Sequence, residues 1–149
     1  MTDVDETEKK RDWIWIAACG LAIVGLLDSA YLSYVKLANQ TASCRLIGDC
    51  EAVNNSRYAV IGGVPVAVLG VAGYLLILLL LYLDRPGGAG RGPARFAFFG
   101  VTLAGTLYSI YLTYLELFVL KAICPFCVVS AAAMVGLFVL SLIRLKLWA

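Results

Sequence analysis

The sequence predicts an all-α integral membrane protein, a four-transmembrane-helix bundle with an extracytoplasmic loop carrying a cysteine pair. Three observations predict it. The 149 residues are 62% hydrophobic and 15% charged, with a mean hydropathy of +0.88, where a soluble domain is nearer half apolar and a quarter charged. The apolar residues fall into four runs, each long enough to cross a hydrocarbon core of about 30 Å as a helix. The basic residues gather in the segments on one side of those runs. A soluble globular enzyme is thereby excluded, and four spans with short connections are expected to fill this length without an attached soluble domain.

Residues 1–12 read as a charged cytoplasmic tail and 13–149 as the membrane domain, with spans at about 13–37, 60–83, 96–120 and 124–147. Between them lie a loop over 38–59, a Gly/Pro/Arg linker over 84–95 and a tight junction near Lys121. Connections this short join antiparallel neighbours. An even number of spans puts both termini on one side. Lys9, Lys10 and Arg11, then Arg85, Arg91 and Arg95, then Arg144 and Lys146 make eight of the twelve Lys and Arg. The positive-inside tendency places those three segments in the cytoplasm. Trp13, Trp15, Tyr82 and Trp148 fall at the same boundary, where amphipathic rings anchor a span. The net charge of +2 and the lack of a basic stripe argue against nucleic acid as a partner. The absence of histidine closes imidazole catalysis and most catalytic zinc sites.

Reactive chemistry is left to five cysteines. This topology puts Cys44, Cys50, Cys124 and Cys127 on the outer, oxidising face. Cys19 lies inside the first span. Ile16-Ala17-Ala18-Cys19 resembles a lipoprotein cleavage box, yet too little apolar sequence precedes it, and a buried inert thiol is the better reading. Cys124-Pro125-Phe126-Cys127 is the sharpest motif. Cysteines at i and i+3 can close a reducible disulfide, and on the first turn of a helix they meet free N–H groups and the positive dipole end, a setting suited to a thiolate. Proline fits that turn because its missing N–H would have had no helical partner. A four-cysteine zinc site competes with this, although five residues separate Cys44 from Cys50 where structural zinc pairs have two to four. Cys44 and Cys50 alone could be a structural disulfide. Two dithiols on one face also make a relay, in which electrons enter at the exposed pair and pass inward by thiolate attack on a disulfide. A relay needs a terminal acceptor, and a lipid-soluble quinone would reach the bundle from within the bilayer.

The end of the first span repeats eighty residues on. Ser29, Tyr31, Leu32, Ser33, Tyr34 and Leu37 match Ser109, Tyr111, Leu112, Thr113, Tyr114 and Leu117, which puts Cys44 on Cys124 and supports a quasi-twofold bundle. Asp28 and Glu116 lie at membrane depth, where an ionised carboxylate is costly without a partner. Each could serve a proton path; alternatively Glu116 is interfacial, and Asp28 is neutral or bonded to nearby Ser and Tyr hydroxyls. Gly70, Gly73, Gly100, Ala104, Ala131 to Ala133 and Gly136 read as close-packing small residues.

Taken together, the loop with Cys44 and Cys50, Ser56 six residues on, Tyr58 through Pro65 entering the second span, and the CPFC motif opening the fourth resemble the vitamin K epoxide reductase family, particularly its prokaryotic members without a fused thioredoxin domain. The DsbB type of quinone-linked oxidase differs, with its CxxC in the first outer loop. The resemblance implies a membrane thiol:quinone oxidoreductase of the inner cell membrane that supports disulfide-bond formation. Cys127 would deliver electrons to the quinone, ubiquinone or menaquinone, and Cys124 would close a Cys124–Cys127 disulfide. Cys50 would then attack Cys124, and Cys44 would leave a Cys44–Cys50 bond. That pair would accept electrons from a soluble thioredoxin-like or DsbA-like protein in trans. The resemblance also puts Ser56 and Phe126 by the ring, although Ser56 could equally cap a helix. The animal enzymes have a tyrosine four residues after the last cysteine and an asparagine in the second span. Here the first position is Ala131 and the span over 60–83 contains no asparagine, so reduction of an epoxide, one alternative, is disfavoured. A non-catalytic protein with structural or metal-binding cysteines is the other.

Overall fold

The computed structural model describes residues 2–38, 60–85, 91–119, 121 and 125–148. Four helices in it are long and apolar enough to cross a membrane. Helix α1 runs unbroken over Thr2–Leu37, so residues 2–12, expected as a separate tail, are the first turns of the first span's helix. The local chemistry explains this. Asp3 and Asp5 sit in the first turn, where carboxylates complement the helix dipole. Thr7 Oγ1 donates to the Asp3 carbonyl at 2.7 Å, and Glu8 pairs with Arg11 at 3.5 Å one turn on.

The second span starts later than the sequence suggests. Val60–Ile61 (β1) and Val64–Pro65 (β2) form an antiparallel hairpin, with Val60 opposite Pro65 and Ile61 opposite Val64. Its two turn residues, Gly62 and Gly63, have φ of 57° and 88°. Two consecutive positive φ values make the mirror-image turn that glycine alone adopts cheaply. Pro65 is still extended (φ −60°, ψ 138°), and helix α2 begins only after it, over Val66–Leu83. Helix α3 covers Arg91–Tyr114 and continues as a single π-helical turn, Leu115–Val119. In the tight junction that follows, Lys121 takes φ 51°, a left-handed conformation uncommon outside glycine. Helix α4 spans Pro125–Trp148 with proline at its first position, as the CPFC motif requires.

The helices pack in a square: α1 lies on α2 and α4, and α3 lies on α2 and α4. Glycines close three of the four seams. A methyl group on Gly25 of α1 would overlap Cε1 and Cζ of Tyr74 on α2, and one on Gly70 of α2 would come 2.8 Å from Ser29 Oγ. Gly136 of α4 admits Leu21 of α1, and Gly105 of α3 admits Met134 of α4. Gly70 and Gly136 thus act as the sequence suggests. Gly73 and Gly100 do not, since a Cβ on either would meet nothing within 4 Å. Along α3 and α4, Thr106 Oγ1 donates to the Met134 carbonyl at 3.4 Å, and the Thr102 and Ser141 hydroxyls lie 3.3 Å apart.

The end of the bundle where α2 finishes and α3 starts is held by charge. Asp84 is buried between two guanidiniums: Arg95 Nη2 donates to Oδ1 at 3.0 Å, and Arg144 Nη2 makes a 2.6 Å ionic contact with Oδ2, outside hydrogen-bond geometry. Arg144 Nη2 also donates to the Asp84 carbonyl at 3.1 Å. Arg95 and Arg144, counted as surface charges from sequence, are therefore interior, and they join α2, α3 and α4. Trp15, expected in the aromatic belt, instead donates its indole N–H to the Leu81 carbonyl at 2.8 Å. Trp13 and Tyr82 are exposed as a belt requires, and Arg85 lies 4.6 Å over the Tyr82 ring.

Two outcomes follow from this packing. Asp84→Ala strips both guanidiniums of their buried counter-charge and lowers stability by about 3–5 kcal/mol, seen as a large drop in melting temperature in detergent. Gly25→Ala costs about 1–3 kcal/mol through overpacking against Tyr74, whereas Gly100→Ala, with open space around it, leaves the melting temperature unchanged or slightly raised.

Candidate active site

The half of the bundle nearest Asp84 is solid. Ala18 and Ala22 of α1, Ile77 and Leu81 of α2, Phe98 of α3 and Leu137 of α4 fill it without exposure beyond 5%. The other half is hollow. Above Tyr74 and Met134, which belong to the packed core and also form the floor, a cavity of about 460 Å³ opens among all four helices. That volume lies within the range of small-molecule sites. Most of the wall is apolar, including Leu32, Val66, Val101, Leu112 and Leu115. The polar groups in it are few: Asp28 and Ser29 on α1, Tyr108, Ser109, Thr113 and Glu116 on α3 and its π turn, Cys127 and Ser130 on α4.

Each wall has a local cause. Tyr74 is held upright because its hydroxyl donates to the Ser130 carbonyl at 2.8 Å and lies 3.0 Å from Ser130 Oγ. The repeated segments present like residues to the cavity, Ser29 and Leu32 from α1, Ser109 and Leu112 from α3. They share a backbone device as well: Ser33 Oγ donates to the Ser29 carbonyl and Thr113 Oγ1 to the Ser109 carbonyl, both at 2.8 Å. Such i to i−4 bonds settle a hydroxyl on its own helix. The π turn widens α3 where Glu116 enters the wall, buried, so its interfacial reading gives way to an interior one. Leu69 of α2 and Ala104 of α3 line the cavity and are also exposed, so the cavity reaches the outer face at the α2/α3 seam. Gly73 and Ala104, expected as close-packing residues, border the cavity there and leave it open.

Of the residues expected at the site, Cys127 is in the cavity wall, in the first turn of α4. Phe126 beside it packs its ring on Tyr31 of α1, with centroids 5.1 Å apart, and so ties the mouth of α4 to α1. Cys44, Cys50, Ser56 and Cys124 lie outside the described residues. Cys19 is half-buried against the packed core and is not among the residues that line the cavity. Ala131, the position at which the animal enzymes carry tyrosine, faces the cavity with a methyl group. Sequence reasoning missed Tyr74, Ser130 and the cavity itself. The one available signal was the run of small residues on α2 and α3, which packing alone does not consume.

Comparison with known proteins agrees with this architecture. The sequence matches the family model described as the vitamin K epoxide reductase family over residues 15–142. It is similar to the thiol-disulfide oxidoreductase LTO1 of Arabidopsis thaliana, at 38% identity over a 128-residue alignment that covers 82% of this chain and 34% of that protein. The chain spans about a third of the length of this curated relative. A match over most of the sequence, with four apolar helices and a cysteine-bearing cavity at one end, makes the chain a member of the vitamin K epoxide reductase family.

Proposed function

We propose that the protein is a membrane thiol:quinone oxidoreductase that supports disulfide-bond formation. The observation that carries this is the placement of Cys127, second cysteine of the CPFC motif, in the wall of an apolar cavity that opens sideways between α2 and α3. The residues suit a quinone. The volume and apolar lining accommodate a flat ring, the few polar groups can meet its carbonyl oxygens, and the exposed Leu69 and Ala104 mark a path from the lipid. Ala131 supplies no hydroxyl, which favours a quinone over an epoxide. The Arabidopsis relative, named a thiol-disulfide oxidoreductase, points to the same chemistry.

A bound quinone supplies a sink for two electrons and two protons. The chain supplies the rest. Cys127 faces the ring site and gives up the electron pair, and Cys124 closes the disulfide with it. Cys50 opens that disulfide by thiolate attack, and Cys44 completes the transfer, leaving Cys44–Cys50 to take electrons from a thioredoxin-fold donor. Cys127 lies in the first turn of α4, the positive end of the helix dipole, which favours its thiolate. The cysteine end is the extracytoplasmic one. Lys9, Lys10, Arg85 and Lys146 support this, being exposed at the opposite end beside Trp13 and Tyr82.

The test is quinone absorbance during turnover of the purified chain with dithiothreitol and a short-chain benzoquinone. Wild type consumes the quinone, and a wild-type protein that leaves it untouched refutes the assignment. Cys127→Ser abolishes turnover. Ala131→Phe fills the cavity and raises KM for the benzoquinone by about tenfold or more with the sulfurs intact. Cys44→Ala spares turnover with dithiothreitol more than turnover with a protein donor.

A further inference from the structure

Reduction of a quinone by a dithiol moves two protons as well as two electrons, and a proton-donating group in the cavity wall can deliver them to the ring. The wall contains two carboxyl groups, on Asp28 and Glu116. Glu116 already has an interaction partner. Asp28 is 93% buried on the relative scale (7% exposed), and its Oδ2 has no hydrogen-bond partner among the described residues. Two buried hydroxyls in this part of the bundle are committed elsewhere: Ser33 to the Ser29 carbonyl, Tyr74 to Ser130. A carboxyl group left in this state in a membrane interior is sustained only as the neutral acid or by a ligand.

The geometry points to Asp28 as the catalytic acid of the cavity, delivering a proton to the ring carbonyl oxygen while Cys127 delivers electrons. This rests on the thiol:quinone reading above. Cys127 and Asp28 stand on different helices, α4 and α1, around one cavity. Phe126, next to Cys127, touches Tyr31, one turn from Asp28, so acid and sulfur lie at neighbouring levels of the bundle. The step balances. Two thiols lose two electrons and two protons to become the Cys124–Cys127 disulfide, and the ring gains two electrons and two protons to become the hydroquinone. Asp28 gives its proton to one ring oxygen and is restored by a proton released from the thiols, so it ends each cycle unchanged. The other titratable groups facing it across the cavity are Tyr74, Tyr108, Glu116 and Cys127. Each is less suited, the tyrosines as weaker acids and Glu116 as already engaged.

The experiment compares wild type with Asp28→Asn and Asp28→Glu, full chain in detergent, by two readouts. With dithiothreitol and a short-chain benzoquinone, Asp28→Asn lowers kcat by about 100-fold or more, the size of a lost general acid, and Asp28→Glu recovers part of it. Without dithiol, the infrared difference spectrum on adding the benzoquinone shows a protonated-carboxyl C=O band that shifts in wild type and is missing from Asp28→Asn. An Asp28→Asn variant within a few-fold of wild type, or a carboxyl band that does not respond to the benzoquinone, overturns the assignment of Asp28 alone. A wild-type protein that reduces no quinone takes the thiol:quinone reading down with it. If Asp28→Asn melts well below wild type, Asp28→Glu and the wild-type infrared band decide.

Discussion

Lipid tails are as apolar as leucine, so packing these helices together gains little from removing hydrocarbon surface from water. Association depends on close fit and on the few polar groups that have nowhere better to go. The square of helices reflects that constraint seam by seam. Glycine meets tyrosine, serine, leucine or methionine along α1/α2, α1/α4 and α3/α4. The fourth seam, α2/α3, has none of those glycine contacts and is joined instead by the Asp84–Arg95 pair at its end. It is the seam along which the cavity reaches the outer face, at Leu69 and Ala104. Rigidity at one end and an opening at the other are two results of the same distribution of small and charged residues.

Within the hollow half, the two segments that repeat in sequence stand in for one another. Each commits a hydroxyl to its own backbone, and each offers a serine and a leucine to the cavity. The near-symmetry is broken at the carboxyl groups: α1 contributes Asp28, and α3 departs into a π turn that carries Glu116. A π turn shifts a helix's register locally, and here it carries Glu116 into a mostly apolar wall.

How much of this was legible beforehand depends on the range of the interaction. Hydropathy and the placement of charge reveal four helices, because each is a property of a contiguous segment. Pro125 and the cysteine spacing reveal the start of α4 for the same reason. Arg95 and Arg144 looked like loop charges because their burial depends on Asp84, which is distant from Arg144 in sequence. Gly73 and Ala104 looked like packing residues because a small side chain serves equally to admit a neighbour or to leave a gap. The hairpin before α2 was hidden inside an apolar run, where Val60 through Pro65 carries no charged or strongly polar side chain to mark a break. Gly62 and Gly63 were the available signal, and hydropathy outweighed them.

The Asp84 cluster also bears on how the chain assembles during synthesis. Asp84 and Arg95 emerge close together, so the α2/α3 hairpin can neutralise one guanidinium as soon as both helices enter the bilayer. Arg144 arrives last, on the final helix, and the carboxylate's second oxygen awaits it. Until then Asp84 and Arg95 form a matched pair, and the closing helix is guided to its slot by a carboxylate already in place to receive a second guanidinium.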